Sequence, residues 1–168
     1  MSKLSPSNNI NNLVIVGHMG SGKSTIGLNL ARKLSYDFID TDELIVKEIK
    51  MSISEYFQNY GEKEFRLIEE KAILDLFDTS TKNIIAFGGG AFQSFRVRQI
   101  VKNNAISIWL KCDLKTLAFR CSRKKNRPLL QNKNVRTVLK ELNKQRADNF
   151  AKANYTFNVS KKTKLKLI

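Results

Sequence analysis

At 168 residues the chain has the length of one compact α/β domain and can bury a core without disulfides or a structural metal. Its opening segment "MSKLSPSNNINN" is polar and nowhere do about eighteen apolar residues run together, so export and membrane spanning are set aside and the cytoplasm is expected. The net charge of +15 invites a polyphosphate partner, but residues 1–110 hold 13 Lys and Arg against 12 Asp and Glu, whereas 111–168 hold 17 against 3; the excess belongs to the C-terminal third and reads mostly as solvated surface.

The first strand is "LVIV" (Leu13–Val16), and "GHMGSGKST" (Gly17–Thr25) follows it. Gly17, Gly22, Lys23 and Ser24 fit G-x-x-x-x-G-K-[ST] between a strand and a helix, the context that distinguishes a phosphate-binding loop from a chance glycine turn. Glycines let backbone N–H groups turn inward around a phosphate at the positive end of the helix. Lys23 is placed to reach the β- and γ-phosphates and the Ser24 hydroxyl to ligate Mg²⁺. His18 occupies a variable position of the loop and is given no role.

The helix Lys23–Leu34 carries Ile26, Leu30 and Leu34 at i, i+4, i+8. A weaker strand, Tyr36–Asp40, runs into "DTD", Asp40-Thr41-Asp42, where side chains project beyond the carboxyl edge of a sheet. One carboxylate could hold the magnesium water shell and the other orient or deprotonate a substrate hydroxyl; the alternative is a helix N-cap. Ser52 and Glu55 form a capping-box signature for a helix that stops near Gly61. In "EFRLIEE" (Glu64–Glu70), Arg66 precedes Glu69 by three residues and Glu70 by four, which suits a surface ion pair or, alternatively, a carboxylate bracing the guanidinium for a bidentate substrate contact.

The third strand, "NIIAF" (Asn83–Phe87), ends in Gly88, Gly89 and Gly90, which permit close backbone approach to a ligand or make a tight turn. "AISIWL" (Ala105–Leu110) and "YTFNV" (Tyr155–Val159) complete five strands. Between them lie Asp113–Ser122, with Leu114, Leu117, Ala118 and Cys121 on one face, and a helix from Val135 to Phe150 with Val135, Val138, Leu139 and Leu142 inward. The irregular stretch Ser122–Asn134 is bracketed by these helices and reads as a mobile loop. Alternating strands and helices imply a mainly parallel sheet covered on both faces. Cys112 and Cys121 match neither a redox pair nor a zinc site and are expected as buried, reduced thiols.

The ordered set "GHMGSGKST", "DTD", "GEKEFRLIEE", "GGG", "RPLL" and a later helical Arg resembles the shikimate kinase family from about Leu13 to Val159. The resemblance implies one domain over 1–168 with a nucleoside-monophosphate-kinase-like P-loop fold (core about 12–160), substrate-binding helices over about 42–77 and a lid over about 122–134. It implies ATP-dependent phosphorylation of the shikimate 3-hydroxyl in the chorismate branch of aromatic amino-acid synthesis, with Mg²⁺ as cofactor. Gly20, Ser21, Gly22, Lys23, Ser24 and Thr25 would bind ATP, with Arg120 against adenine and Arg127 swinging in with the lid to balance phosphate charge. Asp42 would bind ring hydroxyls and act as base, Asp40 would lie near the magnesium water shell, and Arg66 and Arg146 would hold the carboxylate. Gly88, Gly89 and Gly90 would contact shikimate through their backbone, and Phe57 and Phe65 would form the apolar wall.

The chain departs from the family in carrying Phe150 where Tyr is usual, Asp148 where Pro is common and Asn154 where Ala is common, in closing with the short "KKTKLKLI", and in having no hydroxyl side chain at Ala86 or Phe87. Rival readings are a gluconate or nucleoside monophosphate kinase, a nucleotide-binding regulator and a nucleic-acid binder. The DTD, FR-x-x-E and GGG set argues against the first and the joint presence of Lys23, Asp42, Arg66 and Arg127 against the second. The want of interleaved basic and aromatic residues argues against specific nucleic-acid binding. Monomer is the default.

Overall fold

Runs of β-branched residues set the strands, and because both faces of each central strand are covered, those runs are apolar throughout rather than alternating. The computed structural model describes residues 12–79, 82–123, 128–130 and 134–160. Among them β1 (Asn12–Val16), β2 (Asp37–Asp40), β3 (Asn83–Ala86), β4 (Ala105–Lys111) and β5 (Tyr155–Asn158) form one parallel sheet of order β2-β3-β1-β4-β5. Leu13 pairs with Ile84 on one side and Ile106 on the other, so the strand before the phosphate-binding loop sits at the centre. The chain runs first to one side of β1 and later to the other, which opens the crevice beyond the carboxyl ends beside it.

Successive residues of β1 and β3 serve opposite layers. Val14, Val16 and Ile85 pack with Phe92, Val97, Val101, Trp109 and Phe150, while Ile15 and Ile84 pack with Ala31 and Val159. The helices are α1 (Lys23–Leu34), α2 (Thr41–Ile49), α3 (Ile53–Thr79), α4 (Phe95–Asn104), α5 (Leu114–Ser122) and α6 (Val135–Phe150), with single 3₁₀ turns at Ala91–Gln93 and Pro128–Leu130.

The buried face of α1 differs from the expected stripe. Gly27 and Ala31 are buried, whereas Leu34 is 48% exposed. The cause is close approach: a Cβ on Gly27 would overlap the Phe38 ring, so α1 meets the sheet through its smallest residues and its larger ones flank the contact. The Ser52 Oγ accepts the Glu55 N–H at 3.1 Å, and the helix it starts leaves helical geometry at Gly61 (φ 83°, ψ 168°) before continuing to Thr79. α4 is an element the sequence reading did not include; its signals are Ser94, whose Oγ caps Val97 N, and the stripe Val97, Ile100, Val101.

Two of the family departures have local explanations. Phe150 is fully buried between Trp109, stacked at 5.9 Å, and His18, edge-on at 5.0 Å, a slot with no need of a hydroxyl. Asn154 Oδ1 accepts both Ser107 N and Ser107 Oγ at 2.8 Å, which fastens the start of β5 to β4. Cys121 is buried as expected, but Cys112, one residue beyond β4, is only half-buried; both are free thiols. Most of the expected lid, residues 124–127 and 131–133, lies outside the described residues.

Candidate active site

The phosphate-binding loop joins β1 to α1 at the crevice. Lys23 Nζ donates to the Gly17 and His18 carbonyls at 3.0 Å each, folding its side chain back over the loop. Gly20, Ser21, Gly22, Lys23, Ser24 and Thr25 line a cavity of about 660 Å³. Across it the Ser24 hydroxyl donates to Asp40 Oδ2 at 2.5 Å, bringing together two hard oxygen donors from sites 16 residues apart in the chain.

The N-cap alternative for "DTD" holds for Asp40. Asp40 is the N-cap of α2, its Oδ1 accepting Asp42 N at 3.0 Å, while its other oxygen faces Ser24. Thr41 is fully buried and its Oγ1 accepts Gly88 N at 2.9 Å, which ties the triple-glycine loop to the start of α2. The sequence reading missed this residue, although its place between the two aspartates was the available signal. Asp42 lines both the phosphate cavity and a second cavity of about 310 Å³, as do Met19 and Gly89, so the two meet there.

The second cavity is bounded by Phe57, Phe65, Arg66, Glu69, Gly90 and Arg146 among others. Arg66 NH1 donates to Glu69 Oε2 at 2.6 Å, and its Nε and NH2 donate to Glu62 Oε1 at 3.2 and 2.8 Å. Glu69 is buried, which excludes a plain surface ion pair, and its Oε1 has no partner among the described residues. Burial pushes the Glu69 carboxyl up, against the pull of Arg66, and nearby Asp42 raises it further. Burial opposes the Arg66 charge, but Glu69 and Glu62 outweigh it and its pKa is raised. Glu62 was not among the expected residues.

Arg146 on α6 is buried and donates to Gly89 O at 3.0 Å. Burial and the neighbouring Arg66 lower its pKa to about 10. Two guanidiniums thus converge on one small cavity, an arrangement that suits a carboxylate. Two of the glycines leave room for it: a Cβ on Gly90 would overlap the Arg66 guanidinium, and one on Gly88 would run into the Glu69 and Asp42 carboxylates. Arg120 on α5 donates to Gly20 O at 3.1 Å and to Val159 O at 3.4 Å. Arg127 lies outside the described residues.

His18 is buried, with Nε2 paired to Asn143 Oδ1 at 3.1 Å and Nδ1 without a partner among the described residues. Burial, with Arg146 and Lys23 nearby, lowers its pKa to about 4. The unfolded chain binds this proton near pH 6.5 and the folded one only near 4, so stability rises with pH across that window. Urea unfolding at pH 7 and pH 4 is expected to show a loss of about 2–3 kcal/mol in the native protein that His18→Leu largely lacks; equal slopes for both proteins would refute the assignment.

A phosphate-binding loop after the central strand of a 2-3-1-4-5 parallel sheet, opening onto an acceptor cavity with a carboxylate at the junction, defines a P-loop phosphotransferase acting on a small acidic acceptor. A solved gluconokinase from Sinorhizobium meliloti shares this fold, with a TM-score of 0.53 and 14% identity over 91% of this chain and 85% of that one. The family model for shikimate kinase matches residues 19–168. A shikimate kinase of Bartonella quintana is 45% identical over 152 residues, 90% of this chain and 72% of that protein. The solved shikimate kinase from Acinetobacter baumannii, in complex with shikimate, superposes with a TM-score of 0.85 and 33% identity over 89% of this chain and 84% of that one. The chain belongs to the shikimate kinase family, an enzyme of ATP-dependent shikimate phosphorylation.

Proposed function

We propose that the acceptor is held in the 310 Å³ cavity with its carboxylate on Arg66 and Arg146 and its reacting 3-hydroxyl at Asp42, facing the γ-phosphate on the neighbouring loop. The observation that carries this reading is the shared wall: Asp42 belongs to both cavities, and an in-line transfer needs one group at their junction. Asp42 takes the hydroxyl proton as the oxygen bonds to the γ-phosphorus and the bond to the ADP oxygen breaks. Glu69 and Glu62 fix the Arg66 fork, and Gly88–Gly90 let the backbone approach the ring.

The loop amides and Lys23 receive the ATP phosphates, and Arg127 is assigned to the charge that develops on them. Ser24 and, through water, Asp40 fit Mg²⁺: both are hard oxygen donors, and this ion is held by one or two protein oxygens with phosphates and waters completing its shell. When bound, the ion would neutralise phosphate charge. The same reading carries a single domain over 1–168 acting as a monomer in the cytoplasm.

A coupled ADP-release assay with MgATP tests the acceptor. Shikimate is expected to turn over at least about 100-fold faster than gluconate or AMP, because a rigid ring holds its carboxylate and hydroxyl at one fixed spacing between the arginine pair and Asp42, whereas gluconate is a flexible chain that must be ordered and AMP is larger than the acceptor cavity suits. Turnover of gluconate or AMP with none of shikimate would overturn the reading.

A further inference from the structure

Asn143, Arg146 and Phe150 share one face of α6 at i, i+3 and i+7, and that face is joined to both sides of the crevice. Asn143 and Phe150 meet His18 of the phosphate loop, the first by the 3.1 Å hydrogen bond and the second edge-on, while Arg146 holds the Gly89 carbonyl of the acceptor side. The two loops also touch each other, since a Cβ on Gly89 would lie 3.5 Å from Met19 N and 3.9 Å from Gly17 O, on either side of His18. Loop, loop and helix thus close a triangle. His18 occupies its donor corner: an amide oxygen only accepts, so Nε2 carries the ring proton toward Asn143, and the His18 carbonyl accepts Lys23 Nζ. The phosphate-loop motif leaves this position free, and a buried imidazole whose Nδ1 has no partner among the described residues costs more there than an aliphatic side chain would.

We infer that the His18–Asn143 bond is a positioning link through which acceptor carboxylate and donor phosphates strengthen each other's binding, with α6 as the rigid arm between them. This rests on the reading that Arg146 meets the acceptor carboxylate and that Gly17–Thr25 receive the donor phosphates. A carboxylate that draws on the Arg146 guanidinium loads α6, and close-packed side chains pass a small shift on rather than absorb it. At its other contact the helix bears on His18, and through the His18 carbonyl on Lys23. Phosphates act along the same path from the opposite end: drawing Lys23 off the Gly17 and His18 carbonyls releases the donor corner, so an acceptor arriving second meets a triangle already shifted. Coupling of this kind is reciprocal, and each ligand must change the other's affinity by one common factor. The His18 ring acts through Lys23 and α6, not on the reacting atoms.

Titration calorimetry on the full chain measures the factor directly, as the shikimate Kd with and without saturating ADP and Mg²⁺ and the ADP Kd with and without shikimate. In the native protein each ligand is expected to tighten the other by at least about fivefold, equally in both directions. The double variant His18→Leu/Asn143→Leu replaces both partners by apolar groups, which spares the fold the stranded polar atom that a single removal leaves. It is expected to bring the factor below about twofold while each ligand alone binds within about threefold of native. Asn143→Leu by itself gives a second measure with the same expected factor, and thermal unfolding of each variant reports whether a loss comes from the fold. A native factor below about fivefold, a factor that stays above about twofold in the folded variants, or weaker binding of each ligand alone with the factor unchanged would each overturn the inference. Native protein that binds neither ligand, or Arg146→Met protein that binds shikimate as tightly as native, would instead overturn the reading beneath it, and this inference with it.

Discussion

Asp42→Asn is expected to lower kcat for shikimate by about 10²–10⁴-fold, the range that loss of a positioned base produces, while the ATP KM changes less than about threefold. The replacement is close to isosteric and keeps the backbone N–H that Asp40 caps, so α2 retains its start. It removes only the capacity to accept a proton where the two cavities meet. It also removes the negative charge that raises the Glu69 carboxyl, so the Arg66–Glu69 pair should tighten rather than loosen. Steady-state kinetics with both substrates varied decides the matter; a kcat within threefold of native would show that Asp42 only binds.

Arg66→Ala is expected to raise the shikimate KM by about 100-fold, since charge-assisted hydrogen bonds to a carboxylate are lost from an enclosed cavity, with the ATP KM nearly unmoved. Glu69 would then be buried without its cation, and a carboxylate left so is costly. A lowered melting temperature should therefore accompany the kinetic loss. Gly90→Ala keeps the cation beside Glu69 while its methyl crowds the flexible Arg66 fork. It should raise the shikimate KM with a smaller loss of stability than Arg66→Ala. Equal damage to both KM values in either variant would contradict a role confined to the acceptor.

What could be read from the chain follows the range of the interactions. The phosphate loop, the five strands and the triple glycine are written in contiguous residues, where propensity and spacing act directly. The Arg66–Glu69 pair was visible as an i,i+3 spacing, but its meaning turns on whether Glu69 is buried, and that is decided by α3 packing against a loop some 20 residues later. The link between His18 and Asn143 spans 125 residues and leaves no local trace. α4 was lost because its polar residues outweigh a stripe of three aliphatics, and α1 was misaligned by one position because pattern reading favours large residues where packing here favours small ones.

The three residues Asp40, Thr41 and Asp42 straddle the point where an extended chain becomes a helix, so successive side chains swing apart by roughly 100° once the turn begins. Each is thereby sent to a separate destination: one to the Ser24 hydroxyl, one to the glycine loop, one to the junction of the cavities. The segment works as a three-way distributor whose outputs are indexed by position. A single residue inserted or deleted there would leave the composition intact yet reassign all three outputs at once, which makes this tripeptide far less tolerant of a length change than of a substitution.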